Sequence, residues 1–308
     1  MNELLEFAVS AHGGLERWKR IRSIDVSLII SGQLLEVKGF PEHQQTKVTI
    51  DADRPRTVME PYGEEGARGI YTPGRVWIES RDDGREIVEL KEPRASFAGH
   101  VRDTRWDQLQ RLYFLGYAMW NYLATPFILV RDGFDIQELA PHDEDGERWR
   151  VLQVRYPKDI PTHCDTQQFY FNSDGILKRI DYTTDVLGGV ASHYLYDPKN
   201  FAGLIVPIRR RVVQRTPAGP KITGITAVFL SSRAAMLTPS PKMSCGSTIT
   251  SPNAHAESNT PVLELYDRSR RMPTQADVGF WHVWDIPRCP LFGRYQGKNG
   301  HSSDIAFL

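Results

Sequence analysis

The sequence predicts an α+β fold that is mainly β, in which a curved antiparallel sheet forms a half-barrel around one buried aromatic helix. Three observations lead there. From Trp106 to Phe127 apolar residues recur at steps of three and four on nearly every face of a helix. Before and after that stretch lie short alternating segments joined by turn sequences such as Asp82-Asp83-Gly84 and Asn172-Ser173-Asp174-Gly175. Helices do not alternate with strands, so hairpin connections and an antiparallel sheet are expected.

Taken in order, Leu4, Leu5, Ala8 and Val9 give a first helix that Gly13-Gly14 stops. Leu15, Trp18 and Ile21 suggest a second short turn of helix. From Ile24 the period becomes strand-like, in DVSLIISG, QLLEVKG, KVTIDAD, RTVME, RVWIES and EIVELK. The central helix follows, with Trp106, Leu109, Tyr113, Gly116, Trp120 and Leu123 on one face and Leu112, Leu115, Met119 and Tyr122 beside it. Leu112 to Val130 carries no charge, yet Asn121, Thr125, Pro126 and the polar-tipped rings favour a core helix over a membrane span. FDIQEL, WRVLQVRYP, QQFYFNSDG, ILKRIDYTT, VASHYLYD, PIRRRVVQR and KITGITAVFL then complete the sheet.

Beyond Ser231 the chain turns rich in Ser, Thr, Pro and Asn and loses its hydrophobic period. The expected organisation is therefore a half-barrel domain at 1–230 and a low-order, disordered tail at 231–308. The tail has the character of frameshift or read-through sequence beginning near Thr226 to Leu230.

Composition narrows the function classes. The 38 basic residues balance 38 acidic ones, which argues against nucleic acid as partner. The 3 cysteines, Cys164, Cys245 and Cys289, form no paired motif and suit a reducing compartment. Glu3 and Glu6 interrupt any leader-like start, so as written the chain is expected in the cytoplasm, or in the periplasm if the start codon is mis-assigned. No phosphate-binding glycine loop, hydrolase elbow or zinc motif occurs, and no cofactor, metal or catalytic residue is assigned. Asp143 to Glu147 lacks calcium-loop spacing and suits a hairpin tip. Arg209-Arg210-Arg211 admits an anion patch or charged residues on a wet sheet face, and since the middle residue of a strand faces opposite to its neighbours the wet face is favoured.

Two features suggest binding. The aromatic set Trp106, Tyr113, Tyr117, Trp120 and Tyr122 is large for one core, and an apolar cavity would give it a use. The segment Glu92 to His100 mixes Arg94, Ser96 and His100 with Phe97, as a lid beside an apolar interior would. His163, next to Cys164 and Asp165, completes the candidate set, though neighbours on a strand face opposite ways and cannot grip one ion.

AHGGLERWKRIRSI, EPRASFAGHVRDTRWDQLQRLYFLGYAMWNYLATPF and DGILKRIDYTTDVLGG, within residues 11 to about 215, resemble uncharacterised bacterial proteins related to the lipoprotein-carrier (LolA-like) fold. That resemblance implies an incomplete antiparallel barrel that closes over helices and holds acyl chains in an apolar hollow. Such carriers are periplasmic or lipid-anchored, and this sequence as written shows neither a signal nor a lipobox Cys. What carries over is hydrophobic-ligand binding.

The functional expectation is therefore binding, without catalysis, of a lipid or other hydrophobic small molecule at Phe97, His100, Trp106, Tyr113, Tyr117, Trp120, Tyr122 and His163. The alternatives are an enzyme on a small aromatic or polyketide-like substrate, with His100 or His163 as acid/base, and a structural or protein-interaction domain. The sequence does not indicate an oligomeric state.

Overall fold

The computed structural model describes residues 2–216, 219–220 and 226–240. Helices α1 (Glu3–Ala11) and α2 (Leu15–Trp18) precede β1 (Ile21–Ser31), α3 (Gln33–Val37), β2 (Gln44–Asp51), β3 (Thr57–Glu60), β4 (Ala67–Thr72), β5 (Arg75–Ser80) and β6 (Glu86–Lys91). A 3₁₀ turn at Pro93–Phe97 leads into α4 (Gln108–Ala124), and another at Phe127–Val130 leads out of it. There follow β7 (Asp135–Glu144), β8 (Glu147–Arg155), β9 (Thr166–Phe171), β10 (Leu177–Thr184), β11 (Gly189–Phe201), β12 (Leu204–Thr216), β13 (Gly219–Pro220) and β14 (Thr226–Pro239).

The strands make one antiparallel sheet in the order β6-β5-β4-β3-β2-β1-β14-β12-β11-β10-β9-β8-β7, with β13 paired to β12. Hairpins build both halves outward, so β6 and β7 end as edges and the sheet stays open and curved. The halves meet at β14. It pairs with β1 from Ile21↔Pro239 to Ser31↔Phe229 and with β12 from Arg209↔Ser231 to Val213↔Thr226. This strand crosses the boundary expected after residue 230, so the sheet needs residues up to Pro239. Residues 241–308, the rest of the expected tail, lie outside the described residues.

A second departure is QLLEVKG. The expected strand is α3, because Gly32 at φ 133° turns the chain and a helical turn buries Leu35. An apolar run this short fits either period, and packing decides between them.

Strand parity sorts the two faces. On β8, Leu152 and Val154 join the main core, while Trp149 and Val151 join a smaller cluster with Tyr170, Tyr194 and Val213. That smaller cluster shields an ionic network on the outer face. Arg179 lies over the Tyr170 ring at 3.9 Å, pairs with Asp181 at 3.1 Å, and also meets Glu144. Arg215 adds a 3.3 Å contact to Asp181. Opposite charges are matched there, as buried ions require. Glu144 thus turns inward from a hairpin tip expected to be solvated, with its side chain 11% exposed.

The main core lies on the inner face, around α4. The helix packs on β2, β3, β4 and β5. Close approach is possible because α4 presents Gly116, where an added Cβ would stand 2.4 Å from Tyr71 Cβ on β4. Thr57 Oγ1 on β3 donates to Gly116 O at 2.8 Å, and Trp120 Nε1 donates to Asp51 O on β2 at 2.9 Å. No helix among the described residues is long and apolar enough to cross a membrane.

Candidate functional site

The sequence starts α4 with a capping box. Asp107 accepts from the Gln110 backbone at 2.8 Å, and the Gln110 side chain accepts from the Asp107 backbone at 3.1 Å. Pro126 has no N–H to continue the ladder, and Thr125 before it is already extended. Between these ends every residue from Gln110 to Ala124 is buried. Each aromatic ring removes ~150–250 Å² from water, several kcal/mol apiece before entropy at ~25 cal/mol per Å².

One end of the helix lies under the 93–106 segment. Phe97 packs edge-on against Trp106 and His100, both at 5.5 Å, and lies 5.9 Å from Tyr113. The segment is pinned by polar groups from elsewhere. Arg94 donates to Thr162 O at 3.0 Å, pairs with Asp185 at 2.8 Å, and touches the Tyr113 hydroxyl at 3.5 Å. Lys38, fully buried, donates to the carbonyls of Val101, Arg102 and Thr104 at 3.2, 2.6 and 3.1 Å.

From that cover a polar seam runs toward the other end of α4. The Tyr113 and Tyr117 rings lie 5.2 Å apart. Tyr117 Oη meets His163 Nδ1 at 3.1 Å, and His163 Nε2 meets Tyr122 Oη at 2.7 Å. Tyr122 Oη also meets Tyr182 Oη at 3.0 Å, and Tyr182 stacks on His163 at 4.3 Å. His193 sits edge-on to Tyr122 at 4.4 Å, and the Arg210 guanidinium lies 5.3 Å from that ring.

Burial governs the protonation of this seam. It pushes His163 down to about 3, assisted by the charge on Arg94, so the ring is neutral near pH 7. Burial, then Arg210 and His163, takes His193 well below the ordinary imidazole range. Burial also raises Tyr122 to about 12 and carries Tyr117 and Tyr182 well above the usual phenol. A neutral His163 between two hydroxyls donates through one nitrogen and accepts through the other. Both nitrogens are thus engaged.

The structure therefore brings Phe97, His100 and Trp106 of the cover together with Tyr113 of α4, and Tyr117, Tyr122 and His163 together along the seam. Trp120 belongs to neither group: its indole reaches the β2 side. Sequence reading passed over His193 and took Arg210 for a wet-face residue, whereas both are buried on the inner face with Ala191, Leu195, Val206 and Val212. The parity of the Arg209–Arg211 run was legible. The burial of its middle member was not, because it depends on what packs beneath. Among the described residues no His, Cys, Asp and Glu side chains converge as metal ligands.

No family model and no curated protein matches the chain. Solved structures do. A LolA superfamily protein from Nitrosomonas europaea shares 12% identity over 77% of this chain and 93% of its own, with a TM-score of 0.44. A putative outer membrane lipoprotein-sorting protein domain from Vibrio parahaemolyticus shares 8% over 76% and 91%, also with a TM-score of 0.44. A DUF1329 family protein from Desulfovibrio piger shares 11% over 76% and 91%, with a TM-score of 0.41.

Proposed function

We propose that the protein binds an apolar small molecule or lipid between the sheet and α4, with the 93–106 segment as a movable cover, and performs no chemistry on it. The observation that carries this is how the cover is held. Arg94 and Asp185 side chains remain 41% and 52% exposed, and an ion pair so wetted contributes only ~0–1 kcal/mol. On its underside Phe97 packs on Trp106 and faces Tyr113 of α4, an apolar contact that lifting the segment would expose. The weak latch lies at the Arg94–Phe97 end of the cover, while Lys38 pins the Val101–Thr104 end as a hinge, which suits a ligand that enters past Phe97 by displacing aromatic contacts. His163 supports binding over catalysis. A ring already bonded at both nitrogens, and held neutral far below pH 7, is a poor proton shuttle.

The test uses the full chain purified without detergent. Native mass spectrometry is expected to show an added mass of small-molecule size that is lost on denaturation. N-phenyl-1-naphthylamine is expected to brighten on binding the stripped protein, and Arg94→Ala to quicken its entry. A clean apo mass together with no probe uptake would refute the reading.

A further inference from the structure

The outer-face ionic network is neutral within itself, whereas the inner face holds a positive charge with no carboxylate of the described residues near it. Arg210 is 5% exposed and makes no ion pair with any described residue. Its Nη2 donates to Tyr122 O at 2.8 Å, while Nη1, also buried, has no partner among the described residues. Among the described residues, wholly buried His193 has a partner at neither ring nitrogen, and His12 on the adjoining α1 end has none at Nε2. Register brings the first two together: His193 lies opposite Val212 and Arg210 opposite Leu195, so they are diagonal neighbours on one face. Unmet buried hydrogen-bonding groups are costly, and more so where charge is involved.

Helix capping accounts for part of this. Tyr122 O belongs to the last turn of α4, where a cation meets about half a unit of negative charge. A cap uses one N–H and compensates half the charge. It leaves Nη1, the remaining charge and the His193 nitrogens unexplained.

We propose that Arg210 and His193 are the recognition end of the binding site and receive a single negatively charged head group, of carboxylate type, on the apolar ligand. This rests on the apolar-binding reading above and specifies its ligand as an amphiphile. One arginine beside neutral histidines and tyrosine hydroxyls balances one negative charge. The guanidinium offers its free N–H to an oxygen, and the imidazole N–H offers a second donor. The apolar body then follows the seam of Tyr122, Tyr117 and Tyr113 toward the cover.

The experiment compares dodecanoic acid with dodecan-1-ol, at pH 8, as competitors for N-phenyl-1-naphthylamine bound to the full chain. The acid is expected to displace the probe at about one tenth of the alcohol concentration or less, the size of one charge-assisted contact. Arg210→Met is expected to abolish that preference, so that acid and alcohol displace the probe at equal concentrations. Arg210→Lys, which keeps the charge, is expected to retain part of it. Equal displacement by acid and alcohol from the wild-type protein would overturn the head-group assignment and leave apolar binding standing. Failure of the probe and both competitors to bind would overturn both. The wild-type comparison needs no variant to fold, and a residue that only caps α4 would not produce a preference.

Discussion

Helix propensity and packing make opposite predictions for Gly116→Ala, which makes it a sharp test of where α4 sits. In the middle of an exposed helix the change stabilises by roughly 0.5–1 kcal/mol, because alanine loses less backbone freedom. Here the new Cβ would stand 2.4 Å from both Cβ and Cγ of Tyr71. Tyr71 is wholly buried on β4, and its Cβ cannot swing aside as the end of a long side chain can. The helix must therefore back away by about 1 Å to reach ordinary contact near ~3.5 Å. Retreat loosens the packing of α4 on β3, β4 and β5 and stretches the Thr57 to Gly116 hydrogen bond, now 2.8 Å. Overpacking of this kind costs ~1–3 kcal/mol, and taking the upper part of that range leaves a net loss of about 2 kcal/mol after propensity is credited. For a domain of this size the melting temperature is expected to fall by roughly 4–8 °C. The measurement is reversible urea or thermal unfolding followed by near-ultraviolet circular dichroism and tryptophan fluorescence. A variant as stable as the parent, or more so, would show that α4 does not approach β4 this closely.

Three further perturbations follow from the same geometry. His12, His163 and His193 all have their pKa lowered by burial, so acid protonates them in the unfolded chain first; stability is full above about 6.5 and is lost as pH falls, toward about 3 for His163. The loss is expected at up to ~1.4 kcal/mol per pH unit for each histidine, and a urea midpoint unchanged between pH 7 and 5 would refute it. Lys38→Met leaves the carbonyls of Val101, Arg102 and Thr104 without their shared donor. It is expected to cost roughly 1.5–3 kcal/mol and to speed tryptic cleavage after Arg102 and Arg105, where unaltered cleavage would argue against the pinning. Cys164 is 5% exposed, bonds Thr166 O at 3.1 Å, and has its pKa raised by burial. Its alkylation by iodoacetamide, followed by peptide mapping, is expected to proceed only as fast as the protein opens.

Local signals were strong where local physics decides. Asp107 and Gln110 announce the start of α4, Pro126 its end, and the Asp-Gly and Asn-Ser-Asp-Gly turns set the hairpins at β5–β6 and β9–β10. These depend on neighbours within four residues of each other, and the chain carries that information in its order. QLLEVKG shows the limit. Its apolar pair fits either a strand or one helical turn, and the choice lies with the pocket that takes Leu35.

By itself, then, the sequence determined most elements, though not α3 or the strand β4, and with them the antiparallel class, the aromatic helix at the centre and the parity of the strands it marked, all consequences of periods of 3.6 and 2. Tertiary structure alone decided that β14 joins the two halves between β1 and β12, a pairing across some two hundred residues that no local pattern encodes. It also decided the standing of Arg210. Alternation assigns that residue to a face, but whether a face is wet or dry depends on what covers it. Here the cover is α4, and it turns an ordinary strand arginine into a buried charge in want of a partner.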